Sequence, residues 1–210
     1  MLSHILVNEH SSIQICSDRV IYCDPFHIGS KSKDADLILI THAHYDHFSM
    51  EDIKKVQKET TRFILPKSMC DQAVAEGLPK EKITAMKPWD EAVLDEITVT
   101  AVPSYNINKP MHPKNNMWLG YIVTLKDTRI YIAGDCDRMP EEIDIVCDIA
   151  MVPIGGTYTM DPAEAAAFVN AIAPSVAIPI HYGSIVGTSK DADLFESLVR
   201  PHIRVCRKLP

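Results

Sequence analysis

Three of the chain's nine histidines stand beside an aspartate in one short run, Thr41-His42-Ala43-His44-Tyr45-Asp46-His47. Imidazole nitrogen and carboxylate oxygen are the donors that suit zinc, manganese or iron(II). On an extended segment His42 and His44, two apart, point the same way. Asp46 and His47 follow where the chain turns, so they face a second position nearby. One short loop can therefore feed two adjacent metal sites. A surface loop that happens to carry a histidine accounts for His4, His27 and His202. It does not account for H-x-H-x-D-H spacing at the end of a strand.

The elements around the run are those needed to hold it. Leu37-Ile38-Leu39-Ile40 is continuously apolar, which predicts a strand buried on both faces that leads straight into Thr41. Upstream, Ser12–Cys16 and Val20–Cys23 flank the polar turn Ser17-Asp18-Arg19 and predict a hairpin that closes at Asp24-Pro25. Downstream, Ser49 fits an N-cap with Asp52 at the third helical position, as in a capping box, predicting a helix from Met50 to about Lys58. Strands are expected at Arg62–Leu65, Ile83–Met86, Ala92–Leu94, Ile97–Val102, Trp118–Leu125, Thr128–Ala133, Ile149–Pro153, Val176–Ile180 and Arg204–Cys206. Helices are expected at Lys67–Glu76, closed by Gly77, from the cap Asp161 with Pro162 and Glu164 to Ala173, and over Ala192–Val199. Ser104–Asn116 is a polar loop. Val20–Asp24 faintly echoes Arg129–Asp135.

Composition bounds the function. A chain of 210 residues, 46% apolar and 23% charged, with no linker or low-complexity stretch, fits one domain over 1–210. The formal charge of -7 argues against a nucleic-acid backbone as partner. No apolar run is long enough to cross a bilayer. Met1–His10 has no basic segment followed by a long apolar stretch, so no signal peptide is expected. Six cysteines, scattered without a C-x-x-C pair, read as reduced core thiols, and a cytoplasmic location is expected.

The run at His42–His47 resembles the H-x-H-x-D-H signature of the metallo-β-lactamase superfamily, and the resemblance extends along nearly the whole chain. It implies an α/β four-layer αβ/βα sandwich with metals held by loops at one edge of two packed sheets. Asp24, in Tyr22-Cys23-Asp24-Pro25, matches the family's early acidic residue that supports the ligands. Asp135, after Ala133-Gly134, matches the aspartate that bridges two metals, and His181 matches the last histidine. The resemblance thus implies one metal on His42 and His44, another on Asp46, His47 and His181, and Asp135 between them. The implied cofactor is a pair of zinc ions, with manganese or iron as alternatives. Ala101–Asn106 and Gly155–Met160 are similar to the branch that includes ascorbate-6-phosphate lactonase.

The sequence departs from the family at the third ligand of the first metal. Relatives commonly carry a histidine just after the strand ending Val102-Pro103-Ser104-Tyr105, where this chain has Asn106. A neutral amide oxygen is a poor zinc ligand. His112, in the same loop, can fill the gap, or it is a surface histidine and the first site is incomplete. His10 is expected near the site edge, supporting the ligands. Tyr158, with Thr157, follows Gly155-Gly156 and is a candidate pocket residue, and Lys109 and Lys114 are candidates to hold an anionic group. Cys136 reads as a packed core residue because its side chain points away from that of Asp135.

A metal lowers the pKa of its bound water toward neutrality. The resemblance therefore implies hydrolysis by a metal-bound hydroxide, with Asp46 orienting the nucleophile and Asp135 setting the metal spacing. The expected substrate is a small, anionic metabolite carrying a lactone or other ester. A phosphodiesterase or nuclease of the same fold, and a non-catalytic metal-binding module with a degenerate first site, are the alternatives. A homo-oligomer is a further expectation carried by the relatives.

Overall fold

The computed structural model describes residues 2–210; Met1, the start of the N-terminal segment read above, lies outside them. The chain forms two compact units, one ending at Met86 and the other beginning at Lys87. Each carries one mixed sheet.

In the first unit, β1 (Ile5–Val7), β2 (Ile13–Cys16) and β3 (Val20–Cys23) form an antiparallel meander. β3 then pairs in parallel with β4 (Ala35–Leu39), and β5 (Gln57–Pro66) and β6 (Ile83–Met86) continue the parallel half. Leu37, Ile38 and Leu39 are all buried, as a strand covered on both faces requires. β1 was not distinguished in the sequence because a three-residue strand has too little periodicity to read.

Helix α1 (Met50–Val56) joins β4 to β5 and starts at Ser49, whose hydroxyl accepts the Asp52 N–H. It stops two residues short of the expected Lys58, since Gln57 and Lys58 already belong to β5. The Lys58 N–H donates to Thr61 Oγ1, and that hydroxyl donates to the Ala35 carbonyl, where the β4–β5 register shifts. Asp52 does not close the expected reciprocal box. Its carboxylate accepts instead from the His27 and Ile28 amides at 3.0 and 2.9 Å, tying the loop after β3 to the helix. Helix α2 (Cys70–Ala75) follows a turn of 3-10 helix over Lys67–Met69. Gly77, at φ +108°, lets the chain leave it.

The second unit repeats the scheme. β7 (Glu91–Leu94), β8 (Ile97–Pro103), β9 (Leu119–Leu125) and β10 (Thr128–Ile132) are antiparallel neighbours. β10, β11 (Ile149–Pro153), β12 (Val176–Ile180) and β13 (Arg204–Val205) run parallel. Gly120 is required inside β9, since a Cβ there would lie 2.6 Å from the Ala133 carbonyl oxygen.

Helix α3 (Pro162–Ile172) has the full reciprocal capping box between Asp161 and Glu164, and buries Ala165, Ala166, Phe168 and Val169. Helix α4 (Ser189–Leu198) begins three residues before the expected Ala192, because Thr188 and Asp191 form a capping box there. Among the described residues no helix is long and apolar enough to cross a membrane.

The faint echo between Val20–Asp24 and Arg129–Asp135 acquires a structural meaning. β3 and β10 are each the strand at which their sheet changes from antiparallel to parallel pairing. Asp24 and Asp135 stand just beyond their ends.

Candidate metal centre

In the first unit the ligand run is not extended. The His47 and Phe48 amides both donate to the His44 carbonyl, at 3.0 and 2.8 Å, so the chain is already turning at His44. His42 and His44 converge because of this bend rather than by strand alternation. Their facing nitrogens, Nε2 of His42 and Nδ1 of His44, are 3.1 Å apart, and the rings lie edge to face. His42 and His47 are fully buried, Asp46 nearly so, and Tyr45 projects outward with 68% of its surface exposed.

Two residues behind the run orient the imidazoles. Asp24 accepts the Thr41 amide at 2.8 Å and the Thr41 hydroxyl at 2.6 Å, and its Oδ2 lies 2.7 Å from His47 Nδ1. Because the Thr41 hydroxyl donates to Asp24, its oxygen is left to accept from His42 Nδ1, 2.9 Å away. Burial pushes the Asp24 carboxyl above the usual carboxylate range, against the opposite pull of His47 and the Thr41 bonds. Thr41 carries no signature of its own; a hydroxyl at the end of a buried strand was the available signal.

His10, expected as a support at the site edge, lies beside Asp46. Its Nε2 is 3.4 Å from Asp46 Oδ2, and donor atoms of His10, Asp46 and His47 all lie within 4.8 Å of one another. His10 and Asp24 both hold positive φ, at 55° and 48°, a conformation that costs energy outside glycine.

The second unit gathers its residues from distant segments. Asp135 Oδ2 lies 2.9 Å from His181 Nε2 and 3.3 Å from His112 Nε2. Asp135 leaves β10 through Gly134, and its carbonyl accepts the Ser104 hydroxyl at 3.2 Å. His181 follows β12 directly, at φ 59°. Gly155 makes room for it: a Cβ there would lie 2.5 Å from the His181 carbonyl oxygen and 3.2 Å from its Nδ1.

Asn106 and His112 have different places. His112 is buried, and its Nδ1 lies 2.9 Å from Asn106 Oδ1, which also accepts the His112 amide. The Asn106 amide nitrogen donates to Asp137 Oδ1 at 3.1 Å and to the Tyr158 carbonyl at 2.9 Å. Asn106 therefore has its oxygen turned to His112 and its nitrogen to the protein, while His112 presents Nε2 toward Asp135. Asp137, which the sequence did not single out, also accepts the Ile107 amide and the Lys109 ammonium.

The other candidates are already engaged. Lys109 is paired with Asp137 at 2.5 Å, with Glu164 3.8 Å away. Lys114 pairs with Glu141 at 2.9 Å and donates to the Tyr105 hydroxyl. Tyr158 enters through its backbone carbonyl. Cys136 is fully buried, and burial pushes its thiol far above the ordinary range, with Asp135 and Asp137 adding to the rise.

Within each unit the donors are imidazole nitrogens and carboxylate oxygens, most of them buried, and one ring nitrogen each of His47, His42 and His112 is held by Asp24, Thr41 and Asn106 respectively. That donor set fits a divalent transition metal, and such backing partners are how proteins orient metal-binding histidines.

The beta-lactamase superfamily domain model matches residues 5–181, and the chain belongs to that family. A metal-dependent hydrolase of Thermococcus onnurineus is 29% identical over 90% of this chain and 89% of its own length. A metal-dependent hydrolase of Pyrococcus furiosus is likewise 29% identical, over 93% and 92%. A solved structure of a protein from Parabacteroides distasonis is 30% identical and covers 98% of this chain and 93% of that one, with a TM-score of 0.83. The chain has the metallo-β-lactamase fold and is a metal-dependent hydrolase of that superfamily.

Proposed function

We propose that this hydrolase opens a small ester or lactone at a dinuclear metal centre. In that reading His42, His44 and His112 serve one metal, Asp46, His47 and His181 the other, and Asp135 is shared. The division follows the family pattern, with His112 in place of the missing histidine at position 106. The observation that carries it is Asn106 Oδ1 at 2.9 Å from His112 Nδ1, which leaves Nε2 of a buried imidazole directed at the Asp135 carboxylate.

Divalent metals held by these residues would supply Lewis acidity and would lower the pKa of water toward neutrality. The chain's own residues do the rest. Asp24 and Thr41 keep His47 and His42 oriented, and Asn106 keeps His112 oriented. Asp46 accepts a hydrogen bond from the attacking water and aims it.

Resemblance at Ala101–Asn106 and Gly155–Met160 to the ascorbate-6-phosphate lactonase branch supports the ester and lactone class. The expected anionic character has no such support, because Lys109 and Lys114 both sit in ion pairs. We take zinc as the metal from the imidazole-rich donor set. All six cysteines are thiols, which suits a reducing compartment and supports the cytoplasmic reading.

The test is turnover of a panel of simple lactones, aryl esters and phosphodiesters by zinc- and manganese-loaded protein, beside Asp135→Ala. Ester or lactone hydrolysis that falls by about a thousandfold or more in the variant is expected. Cleavage of phosphodiesters alone, or no turnover with either metal, overturns the proposal.

A further inference from the structure

The chain has two tryptophans, Trp89 and Trp118, and both line one cavity of about 420 Å³ in the second unit. Tyr105, Met117, Lys114 and Glu141 complete its wall. The volume is in the range that takes a small molecule or a large part of one. Trp89 and Met117 are each close to half exposed, so the cavity opens to solvent with its apolar surface uncovered.

Its electrostatics limit what can enter. Lys114 donates to Glu141 at 2.9 Å and to the Tyr105 hydroxyl at 3.0 Å, and its ammonium stands 4.5 Å from the Tyr105 ring centre. The Tyr105 hydroxyl in turn donates to Glu141 at 2.8 Å. The cation and the carboxylate of the wall are thus spent on each other. A charged group entering meets a cation and a carboxylate that already neutralise each other and gains little from either, whereas a flat uncharged ring meets aromatic faces and a thioether.

The inner wall also reaches the proposed metal ligands. The Trp118 ring stands edge to face with the His112 ring, centroids 5.6 Å apart. Ser104, another wall residue, donates to the Asp135 carbonyl. We infer that this cavity is a subsite for a neutral aromatic group of the substrate, such as the ring of an arylacetyl ester. Hydrolysis then adds water across the acyl C–O bond and releases an arylacetic acid and an alcohol. The placement of that ring on the cleaved molecule rests on the hydrolase reading above; binding of the ring itself does not.

Because both tryptophans line the cavity, their emission reports its occupancy directly. Metal-loaded protein is titrated with phenylacetamide and with phenylacetate, and Trp89→Ala and Met117→Ala are titrated in parallel. A saturable emission change with phenylacetamide is expected. Phenylacetate should bind roughly tenfold more weakly, and each wall variant should weaken the amide by roughly fivefold to tenfold. No saturable change, equal binding of the anion, or binding indifferent to both variants overturns the inference. The two wall variants keep the test open if one fails to fold. Saturable binding without any ester turnover would count against the hydrolase reading alone. Turnover of simple esters without binding would count against the subsite alone.

Discussion

The two units assemble their ligands in opposite ways. In the first, His42, His44, Asp46 and His47 come from one turn, and the structure only has to bend that turn and back it. In the second, His112, Asp135 and His181 arrive from a loop and two strand ends, spread over 70 positions of the sequence. The backing differs as well. His47 Nδ1 is held by a carboxylate, Asp24, and His112 Nδ1 by a neutral amide, Asn106. A carboxylate orients the ring and raises its basicity; an amide only orients it. The first unit's ligands are thus set by local sequence and strong electrostatics, and the second's by tertiary placement and a weaker hydrogen bond.

This contrast orders the expected effects of mutation. Asp24→Ala should be the most damaging, because it strands the buried Thr41 amide and His47 Nδ1 together. We expect a stability loss of about 3 kcal/mol in chemical denaturation, from two unsatisfied buried groups. Metal affinity by calorimetry should fall by roughly 10–100-fold, the usual effect of losing a ligand's partner. A loss no larger than that of Asn106→Ala would erase the distinction.

Asn106→Ala comes next. It removes the partner of His112 and frees the Asp137 and Tyr158 contacts, so roughly tenfold weaker metal binding is expected with about 1–2 kcal/mol of stability. Gly155→Ala should act at the other end of the same unit. The added methyl group must push the His181 backbone, at a cost of about 1–3 kcal/mol, and weaken metal binding without altering any ligand.

The smallest effect concerns acid stability, away from the ligands. Partial burial pulls the Asp52 carboxyl upward, but the Lys55 ammonium, the Ser49 hydroxyl and the Ile28 amide outweigh it and hold the group below the usual carboxylate range. Asp36 is held low in the same manner, burial being outweighed by Lys58 and the Val20 amide. A depressed folded pKa means the unfolded chain takes up protons first. The stability these groups contribute is therefore complete above the unfolded carboxylate value of about 3.9 and is lost as pH falls through their folded values. Denaturation midpoints of Asp52→Asn should show a shallower acid limb than those of the parent protein. An unchanged limb would mean these contacts contribute nothing to acid stability.

The contrast between units also explains what the sequence could reveal. The H-x-H-x-D-H run, the buried strand before it and the α3 capping box are local, so residue types and spacing suffice to read them. The order of strands was legible for the same reason, apart from the very short β1. The exchange at position 106 was legible only as an anomaly. Nothing local says that Asn106 turns its oxygen to His112 or that Asp137 holds its nitrogen, because those contacts join residues 6 and 31 positions apart. The bend at His44 and the positive φ at His10, Asp24 and His181 were likewise beyond a reading based on alternation.

The central claim is that His112, positioned by Asn106, completes a dinuclear centre. The most direct measurement is metal content per chain for the parent protein, His112→Ala and Asn106→Ala, each loaded with zinc and then desalted. The account predicts two equivalents in the parent, one in His112→Ala, and two in Asn106→Ala that are lost more readily to a chelator. Two firmly held equivalents in His112→Ala together with one in Asn106→Ala would contradict it, and would make the asparagine the ligand.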